Sequence, residues 1–132
     1  MSMADEQKKI LVVEDDLALQ GVLFDRLQSE ALYEVLKASD GEEAVSIIIE
    51  KKPKLILLDL LLPKLDGFQV LEKIRKHPDK GISGTKVIVL SNLWSNKDIL
   101  RAQDLKIEEY YIKANTNLDD VVAKVSLLLK QG

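Results

Sequence analysis

Three short, continuously apolar runs limit what this chain can fold into more than any other feature of the sequence. Ile10–Val13 reads ILVV, Leu55–Leu58 reads LILL, and Lys86–Leu90 ends in VIVL. Runs that are apolar at every position are typical of central strands in a parallel sheet that helices cover on both faces. Two more strands are predicted at Tyr33–Ala38, which is more polar and fits an edge of the sheet, and at Glu109–Lys113.

Amphipathic helical patterns fill the intervals between these strands and follow the last one. A capping side chain precedes each pattern: Asp16, Asp40, Asp66, Ser95 and Asn117. The fourth pattern is the thinnest, since its apolar face contains only Ile99, Leu100 and Ala102. The strict alternation of strands and helices predicts an α/β fold with a parallel sheet, right-handed crossovers and helices on both faces.

The size and charge of the chain exclude several classes of function. Its 132 residues fit one domain, which we divide into a polar N-terminal tail at residues 1–8 and a folded domain at 9–132. A net charge of -3 argues against direct binding to nucleic acid. The most apolar stretch, Leu55–Pro63, contains Asp59 and is far shorter than the roughly 20 residues that span a membrane. With no cysteine either, we expect a cytoplasmic protein that does not contact a membrane.

Polar residues stand at the carboxyl ends of four of the predicted strands. Glu14 and Asp15 follow the first strand, Asp59 the third and Ser91 the fourth, and Lys113 ends the fifth. These ends lie along one edge of a parallel sheet, which is where ligands bind in such folds. Two carboxylates about 5 Å apart repel by roughly 3 kcal/mol at an effective dielectric near 20. Clustered acids therefore either shift their pKa values upward or hold a cation, and oxygen ligands favour Mg²⁺.

Considered singly, each of these residues has an ordinary structural interpretation. An acid after a strand often caps the next helix, a serine is common in turns, and a lysine at a strand end is usually solvated. Asp59 is harder to explain in this way, because it stands between two apolar runs. Together, a carboxylate nucleophile, a metal, a hydroxyl and an ammonium group are typical of phosphoryl transfer.

The chain resembles the response regulator receiver domain of two-component signalling over about residues 8 to 130. The resemblance depends on motifs in a specific order and spacing: ILVVEDD (10–16), SDGEEA (39–44), LILLDLLLPKLDGF (55–68), VIVLS (87–91) and YYIK (110–113). It implies a doubly wound, flavodoxin-like (βα)5 three-layer sandwich with strand order 2-1-3-4-5. It also implies the single-domain type of response regulator, a signalling domain rather than an enzyme, which catalyses only its own phosphorylation and dephosphorylation.

The resemblance implies a role for each acid of the expected cluster. Asp59 would be the phosphoacceptor. Mg²⁺ would be held by Glu14, Asp15, Asp59 and the backbone carbonyl of Leu61, with Asp15 as a direct ligand and Glu14 acting through water. The implied phosphodonor is a sensor histidine kinase or a histidine phosphotransfer protein.

The remaining predicted site residues would detect the phosphoryl group and transmit the change. The resemblance implies that Ser91 contacts one phosphoryl oxygen and Lys113 another, while Tyr110 turns inward as Ser91 moves. The fourth helix, fifth strand and fifth helix would form the surface that changes. An unidentified target protein would read that surface, or a second copy of the chain would pair with it in a homodimer.

The sequence departs from the family pattern beside this expected pocket. Ala114 follows Lys113, where the family usually has a proline after a cis peptide bond. A cis bond before a non-proline residue costs about 2.5–4 kcal/mol, so we predict a trans bond here. Asn92 stands where a small residue is common, and Leu61 replaces a polar one. Both side chains would limit the access of donor and water to the pocket.

Two other functions remain open on the same sequence. A receiver-like binding module that works without phosphorylation is the closer alternative, although such modules lose the acids that are present here. A hydrolase of the haloacid dehalogenase type also uses an aspartyl nucleophile, but it needs a second acid two residues later, where Leu61 stands. Failure to take a phosphoryl group from any donor would favour the binding module, and sustained turnover of a phosphate ester would favour the hydrolase.

Overall fold

The computed structural model describes residues 7–30 and 32–130 as five parallel strands in one sheet with helices on both faces. The strands lie in the order β2-β1-β3-β4-β5. Their bounds are β1 Lys8–Val13, β2 Tyr33–Ala38, β3 Leu55–Leu58, β4 Lys86–Ser91 and β5 Glu109–Ile112. The predicted fold and strand order are therefore confirmed, with the polar strand β2 at one edge.

Five main helices follow the five strands, one after each. They are α1 Leu17–Gln28, α2 Gly41–Lys51, α3 Gly67–Arg75, α4 Asn96–Asp104 and α5 Leu118–Lys130. Two shorter turns were not anticipated from the sequence, a single helical turn at Lys80–Ser83 and a 3-10 turn at Lys113–Asn115. The 3-10 turn takes Lys113 out of the predicted fifth strand, which ends one residue earlier.

The predicted capping residues all accept hydrogen bonds from backbone N–H groups at the starts of their helices. Asp66 forms a full capping box with Gln69, and Asp40 accepts from the N–H of Glu43. The remaining three caps are Asp16, Ser95 and Asn117. Each side chain satisfies a donor that the helix itself leaves unpaired, so helix starts are encoded locally here.

The core consists of two apolar clusters, one on each face of the sheet. Residues from α2, α3 and α4 pack on one face, and residues from α1 and α5 pack on the other. All four residues of β3 are buried, as are Ile10–Val13 of β1 and Val87–Ser91 of β4. The continuously apolar runs are thus the central strands, because their two faces are both covered.

Two elements near one edge of the sheet are only partly buried. Of the predicted apolar face of α4 only Ala102 is buried, while the side chain of Leu100 is 59% exposed. The four residues of β5 are all partly exposed, as expected for the other edge strand. The predicted apolar face of α4 is therefore wrong at Leu100, which is exposed to solvent.

The boundary of the predicted tail also needs a correction. Strand β1 begins at Lys8, which lies within the predicted tail of residues 1–8, and residues 1–6 of that tail lie outside the described part of the chain. Within residues 7–30 and 32–130, no helix is both long enough and apolar enough to cross a bilayer.

Candidate functional site

Strand pairing brings the predicted polar residues to one edge of the sheet. Val13 pairs with Leu58, and Leu58 pairs with Val89, so the residues that follow β1 and β3 are neighbours. The N–H of Asp59 donates to the carbonyl of Val13 at 3.1 Å, which continues the ladder past the strand end. The last residues of β1, β3 and β4 are buried, so the side chains that follow them begin from rigid positions.

Glu14, Asp15 and Asp59 form one carboxylate cluster. A carboxylate oxygen from each lies within 4.8 Å of the others. Glu14 and Asp59 are only 2% and 3% exposed, whereas Asp15 is exposed to solvent. A donor set made only of carboxylate oxygens, open to solvent on one side, fits a hard divalent cation that keeps part of its water shell.

Lys113 bridges the two buried acids of this cluster. Its Nζ lies 2.7 Å from Glu14 Oε1 and 2.6 Å from Asp59 Oδ2. Burial alone would lower the pKa of Lys113, but the hydrogen bonds and charges of Asp59 and Glu14 outweigh burial and raise that pKa above its ordinary value. The ammonium group therefore stays protonated and supplies a fixed positive charge beside two carboxylates.

The surroundings of Glu14 work against its charge. Burial raises the pKa of Glu14, and the negative charge of Asp59 adds to the increase. Hydrogen bonds from Lys113 and from the N–H of Asp16, the latter at 3.1 Å, offset only part of it. A bound divalent cation would compensate this buried charge, so the electrostatics of the site are compatible with metal binding.

The two carboxylate oxygens of Asp59 contact different neighbours. Its Oδ1 accepts a hydrogen bond from the N–H of Leu61 at 3.1 Å, and its Oδ2 faces Lys113. The side chain of Leu61 is 52% exposed and, together with Asp15, lines a cavity of about 520 Å³ beside the acids. Leu61 therefore stands at the opening of the site, as expected from its position in the sequence.

Ser91, the last residue of β4, and Tyr110 on β5 both form hydrogen bonds with the loop after β4. The side chain of Ser91 is fully buried, and its Oγ accepts from the N–H of Leu93 at 3.4 Å. The hydroxyl of Tyr110 donates to the carbonyl of Leu93 at 2.7 Å. Burial, helped by the charges of Asp98 and Asp59, raises the pKa of Tyr110 to about 12, so this hydroxyl remains a donor at neutral pH.

Gln20 is a supporting residue that the sequence analysis missed. Its Nε2 donates to the carbonyls of Glu14 and Ala38 at 2.9 and 3.1 Å and to the Oγ of Ser39 at 3.2 Å. The side chain is buried, so the three acceptors fix the ends of β1 and β2 relative to α1. The sequence feature that could have identified Gln20 is the presence of a polar residue on the apolar side of α1, directly after Leu19.

Two glycines allow the loops around Asp59 to approach closely. A Cβ added to Gly41 would lie 2.0 Å from the carbonyl oxygen of Leu65. A Cβ on Gly67 would lie 2.5 Å from the carbonyl oxygen of Asp59. Because backbone atoms cannot move aside as flexible side chains do, both positions require glycine, and the SDGEEA motif gains a structural explanation.

The structure shows how two departures from the family pattern, Ala114 and Asn92, are accommodated. The Lys113–Ala114 peptide bond is trans, as predicted. Asn92 lies on the loop after β4, and its Oδ1 accepts a hydrogen bond from the N–H of Ala114 at 3.1 Å. Trp94, on the same loop, is 73% exposed.

A family model and several curated proteins named as transcriptional regulators match this chain. Residues 10–126 match the family model described as Response regulator receiver domain. The chain is 37% identical over 108 residues to the probable transcriptional regulator ycf27 of Porphyridium aerugineum, covering 82% of this chain and 42% of that protein. It is also 37% identical over 124 residues to the transcriptional regulatory protein CiaR of Streptococcus pneumoniae, covering 94% of this chain and 52% of that protein. The chain thus spans about half the length of these curated relatives.

Solved structures lead to the same family. The CheY-like response regulator receiver domain protein from Methanospirillum hungatei superimposes with a TM-score of 0.84 at 28% identity, covering 95% of each chain. The signal receiver domain of a putative Luxo repressor protein from Vibrio parahaemolyticus gives a TM-score of 0.83 at 29% identity, covering 95% of this chain and 92% of that one. The predicted single-domain type is not confirmed, since the curated relatives are longer regulators. With its fold, its sequence motifs and these matches in agreement, the chain belongs to the response regulator receiver domain family, a signalling domain of two-component systems.

Proposed function

We propose that Asp59 is the phosphoacceptor of this receiver domain. The observation that carries the proposal is the bridge of Lys113 between the two buried carboxylates, Glu14 and Asp59. A buried carboxylate beside a fixed ammonium group can accept a phosphoryl group whose added negative charge is already partly compensated. The donor is the phosphohistidine of a sensor histidine kinase or of a histidine phosphotransfer protein.

The transfer needs one bond to form and one to break. A carboxylate oxygen of Asp59 attacks the phosphorus, and the bond between phosphorus and the donor's imidazole nitrogen breaks. The electron pair of that bond remains on the imidazole nitrogen, which takes a proton from solvent. The N–H of Leu61 orients the Asp59 carboxylate through Oδ1, which leaves the Lys113 ammonium group to pair with a phosphoryl oxygen as it arrives.

Glu14, Asp15, Asp59 and the backbone carbonyl of Leu61 would hold Mg²⁺ in this site. The ion, when bound, neutralises charge on the phosphoryl oxygens and so favours the approach of one anion to another. The buried pair Glu14 and Asp59 gives the site its charge, and exposed Asp15 faces the solvent from which the ion enters.

The switch runs through the loop after β4. Ser91 donates its hydroxyl hydrogen bond to a phosphoryl oxygen, which draws the loop toward Asp59. Leu93 follows, because its N–H and carbonyl contact Ser91 and Tyr110 respectively. The α4–β5–α5 face changes as a result, and a target protein or a second copy of the chain reads it.

The output of the whole protein is a separate proposal. The relatives compared above are named transcriptional regulators, and this chain matches about half of their length. With a net charge of -3, the present chain acts on its output through protein contacts rather than by binding DNA itself. The same proposal includes a cytoplasmic location, because the chain must be in the same compartment as its phosphohistidine donor.

Intact mass spectrometry tests the phosphoacceptor directly. After incubation with Mg²⁺ and acetyl phosphate, the protein is expected to gain the mass of one phosphoryl group. Asp59→Asn should gain none, whereas Asp25→Asn, which removes an exposed carboxylate on α1, should react like the unmodified protein. Chelation of the metal should stop the reaction.

Each contrary outcome has a distinct meaning. If no donor, including phosphorylated histidine kinases, modifies the protein, the chain is a binding module that works without phosphorylation. If Asp59→Asn is still modified, the acceptor lies elsewhere. Continuous hydrolysis of a phosphate ester would instead indicate a hydrolase.

A further inference from the structure

Two departures from the receiver pattern, Asn92 and Ala114, are joined by a hydrogen bond. Asn92 Oδ1 accepts from the N–H of Ala114 at 3.1 Å. A proline at position 114 would have no N–H to donate. Each departure therefore accounts for the other: the alanine supplies a donor, and the asparagine supplies the side chain that accepts from it.

The N–H of Ala114 needs a partner from outside its own turn. It belongs to the 3-10 turn Lys113–Asn115, and the first N–H groups of any helical turn have no acceptor within it. The other end of this turn is closed by Thr116, whose hydroxyl donates to the carbonyl of Ile112 at 2.7 Å. With Asn92 at one end and Thr116 at the other, the backbone of Lys113 is held on both sides.

Asn92 lies on a loop that is fixed at successive residues. Before it, buried Ser91 accepts from the N–H of Leu93. After it, the carbonyl of Leu93 accepts from the hydroxyl of Tyr110 on β5. The bond from Asn92 to Ala114 connects this loop to the turn that carries Lys113. Ser91 already pairs with Ile112, the residue before Lys113, in the β4–β5 ladder. The side chain of Asn92 thus adds a second link, between the residue after Ser91 and the residue after Lys113.

We propose that Asn92 is a positioning residue that couples the loop of Ser91 to the turn of Lys113. The bond holds the loop that follows Ser91 against the turn that carries Lys113 and so restrains the movement of the two relative to each other. The inference rests on the proposed phosphorylation of Asp59, whose aspartyl phosphate it protects from hydrolysis. A chain with a small residue at 92 and proline at 114 lacks this coupling.

Amide hydrogen exchange tests the coupling without any phosphoryl group. Asn92→Ala is expected to speed exchange at the N–H of Ala114 about two- to tenfold, the range for losing one hydrogen bond. Asn92→Asp, which keeps an acceptor oxygen in place, should preserve the protection. Asn96→Ala makes the same change at an exposed residue on α4 and should leave Ala114 unaffected. Equal exchange in Asn92→Ala and the unmodified protein would overturn the coupling.

The lifetime of the phosphorylated protein tests the consequence. Asn92→Ala and Ala114→Pro should each speed the loss of the phosphoryl group about two- to tenfold. Because both changes break the same bond, the double variant should be no faster than the faster single variant. Effects that multiply in the double variant, or an unchanged lifetime in Asn92→Ala, would refute the positioning role. Thermal unfolding of every variant identifies any that fail to fold. If Ala114→Pro or the double variant fails, the lifetime of the phosphorylated protein in Asn92→Ala, compared with Asn96→Ala, decides the question.

The two proposals fail in different ways. If the unmodified protein accepts no phosphoryl group, the proposed function fails, while the amide exchange at Ala114 still decides whether the loops are coupled. If the unmodified protein is phosphorylated and Asn92→Ala loses the group at the same rate, the positioning role fails and the proposed function stands.

Discussion

Helices α3 and α4 have the same length and lie on the same face of the sheet, yet they are held in different ways. Of the nine residues in α3, five are buried, namely Gly67, Phe68, Val70, Leu71 and Ile74. Of the nine in α4, only Ala102 is buried. Apolar burial therefore fixes α3, whereas α4 depends on contacts at its ends and on its polar side chains.

Two arginines provide much of what holds α4. The guanidinium of Arg75 donates to the carbonyls of Leu105 and Lys106, directly after α4, at 2.8 and 2.9 Å. The guanidinium carbon of Arg101 lies 4.1 Å from the ring centroid of Phe68 on α3. Because α4 buries so little apolar surface, it is the helix of the two whose position would change more easily under the proposed phosphorylation of Asp59.

Removing a buried side chain from α3 should give the largest effect. Leu71→Ala is expected to lower the free energy of unfolding by about 2–5 kcal/mol, since the side chain is fully buried and leaves a cavity. Leu100→Ala, the matched change on α4, should alter it by less than about 0.5 kcal/mol. Urea denaturation of both variants measures the difference. Similar losses would mean that α4 is anchored by its apolar face after all.

Arg75→Met should have the next largest effect. Besides the two acceptors after α4, Arg75 Nη1 donates to the carbonyls of Ser83 and Thr85, both at 2.8 Å. Loss of the guanidinium leaves partly buried carbonyls unpaired, so we expect a loss of about 2 kcal/mol. Hydrogen exchange should accelerate at the carboxyl end of α4 and remain slow in α3. Uniform acceleration in both helices would show that Arg75 stabilises the domain as a whole.

Tyr110→Phe should cost about 1 kcal/mol, the value of the lost hydrogen bond to Leu93. The difference from the unmodified protein should depend on pH, because the pKa of Tyr110 is raised from 10.0 to about 12. An acid with a raised pKa keeps its proton longer in the folded protein than in the unfolded chain. Its contribution is therefore complete below pH 10 and is lost as pH rises toward 12. Denaturation of both proteins from pH 8 to about 12 checks this, and a pH-independent difference would contradict it.

Arg101→Ala should have the smallest effect. Its contact with Phe68 and its ion pair with Glu72 at 3.5 Å are both partly exposed. Together they are expected to contribute about 0.5–1 kcal/mol, of which the ion pair is lost in high salt. Glu72→Ala alone isolates the ion pair. A loss of unfolding free energy as large as that of Arg75→Met would mean that the contact of Arg101 with α3, rather than the contacts at the carboxyl end of α4, determines the position of α4.

The sequence predicted the features that depend on local pattern. Continuous apolar runs identified the central strands, and capping residues located every main helix. The meeting of Glu14, Asp15, Asp59 and Lys113 was predictable too, because parallel strands deliver their carboxyl ends to one edge. These successes share a cause: the information lies within a few residues of each position.

Contacts between distant segments were not predictable in the same way. Arg75 and Gln20 bind backbone carbonyls, which every residue possesses, so the acceptors leave no trace in the sequence. The helical turn at Lys80–Ser83 is only one turn long and gives no apolar period. The hydrogen bond that Asn92 accepts from the N–H of Ala114 was not predicted either, because only the folded chain places the two residues within reach.

The close approach of Gly67 to Asp59 determines which side of the site can yield. Asp59 is confined by the buried strand β3, by the carbonyl of Val13, and by α3, whose first residue leaves no room for a Cβ. In mechanical terms this half of the site is stiff. Under the proposed phosphorylation of Asp59, displacement is therefore expected on the opposite side, in the loop after β4 and the turn at Lys113, which are held by individual side-chain hydrogen bonds rather than by packed backbone. The backbone that has no free space would thus set the direction in which a signal leaves the site.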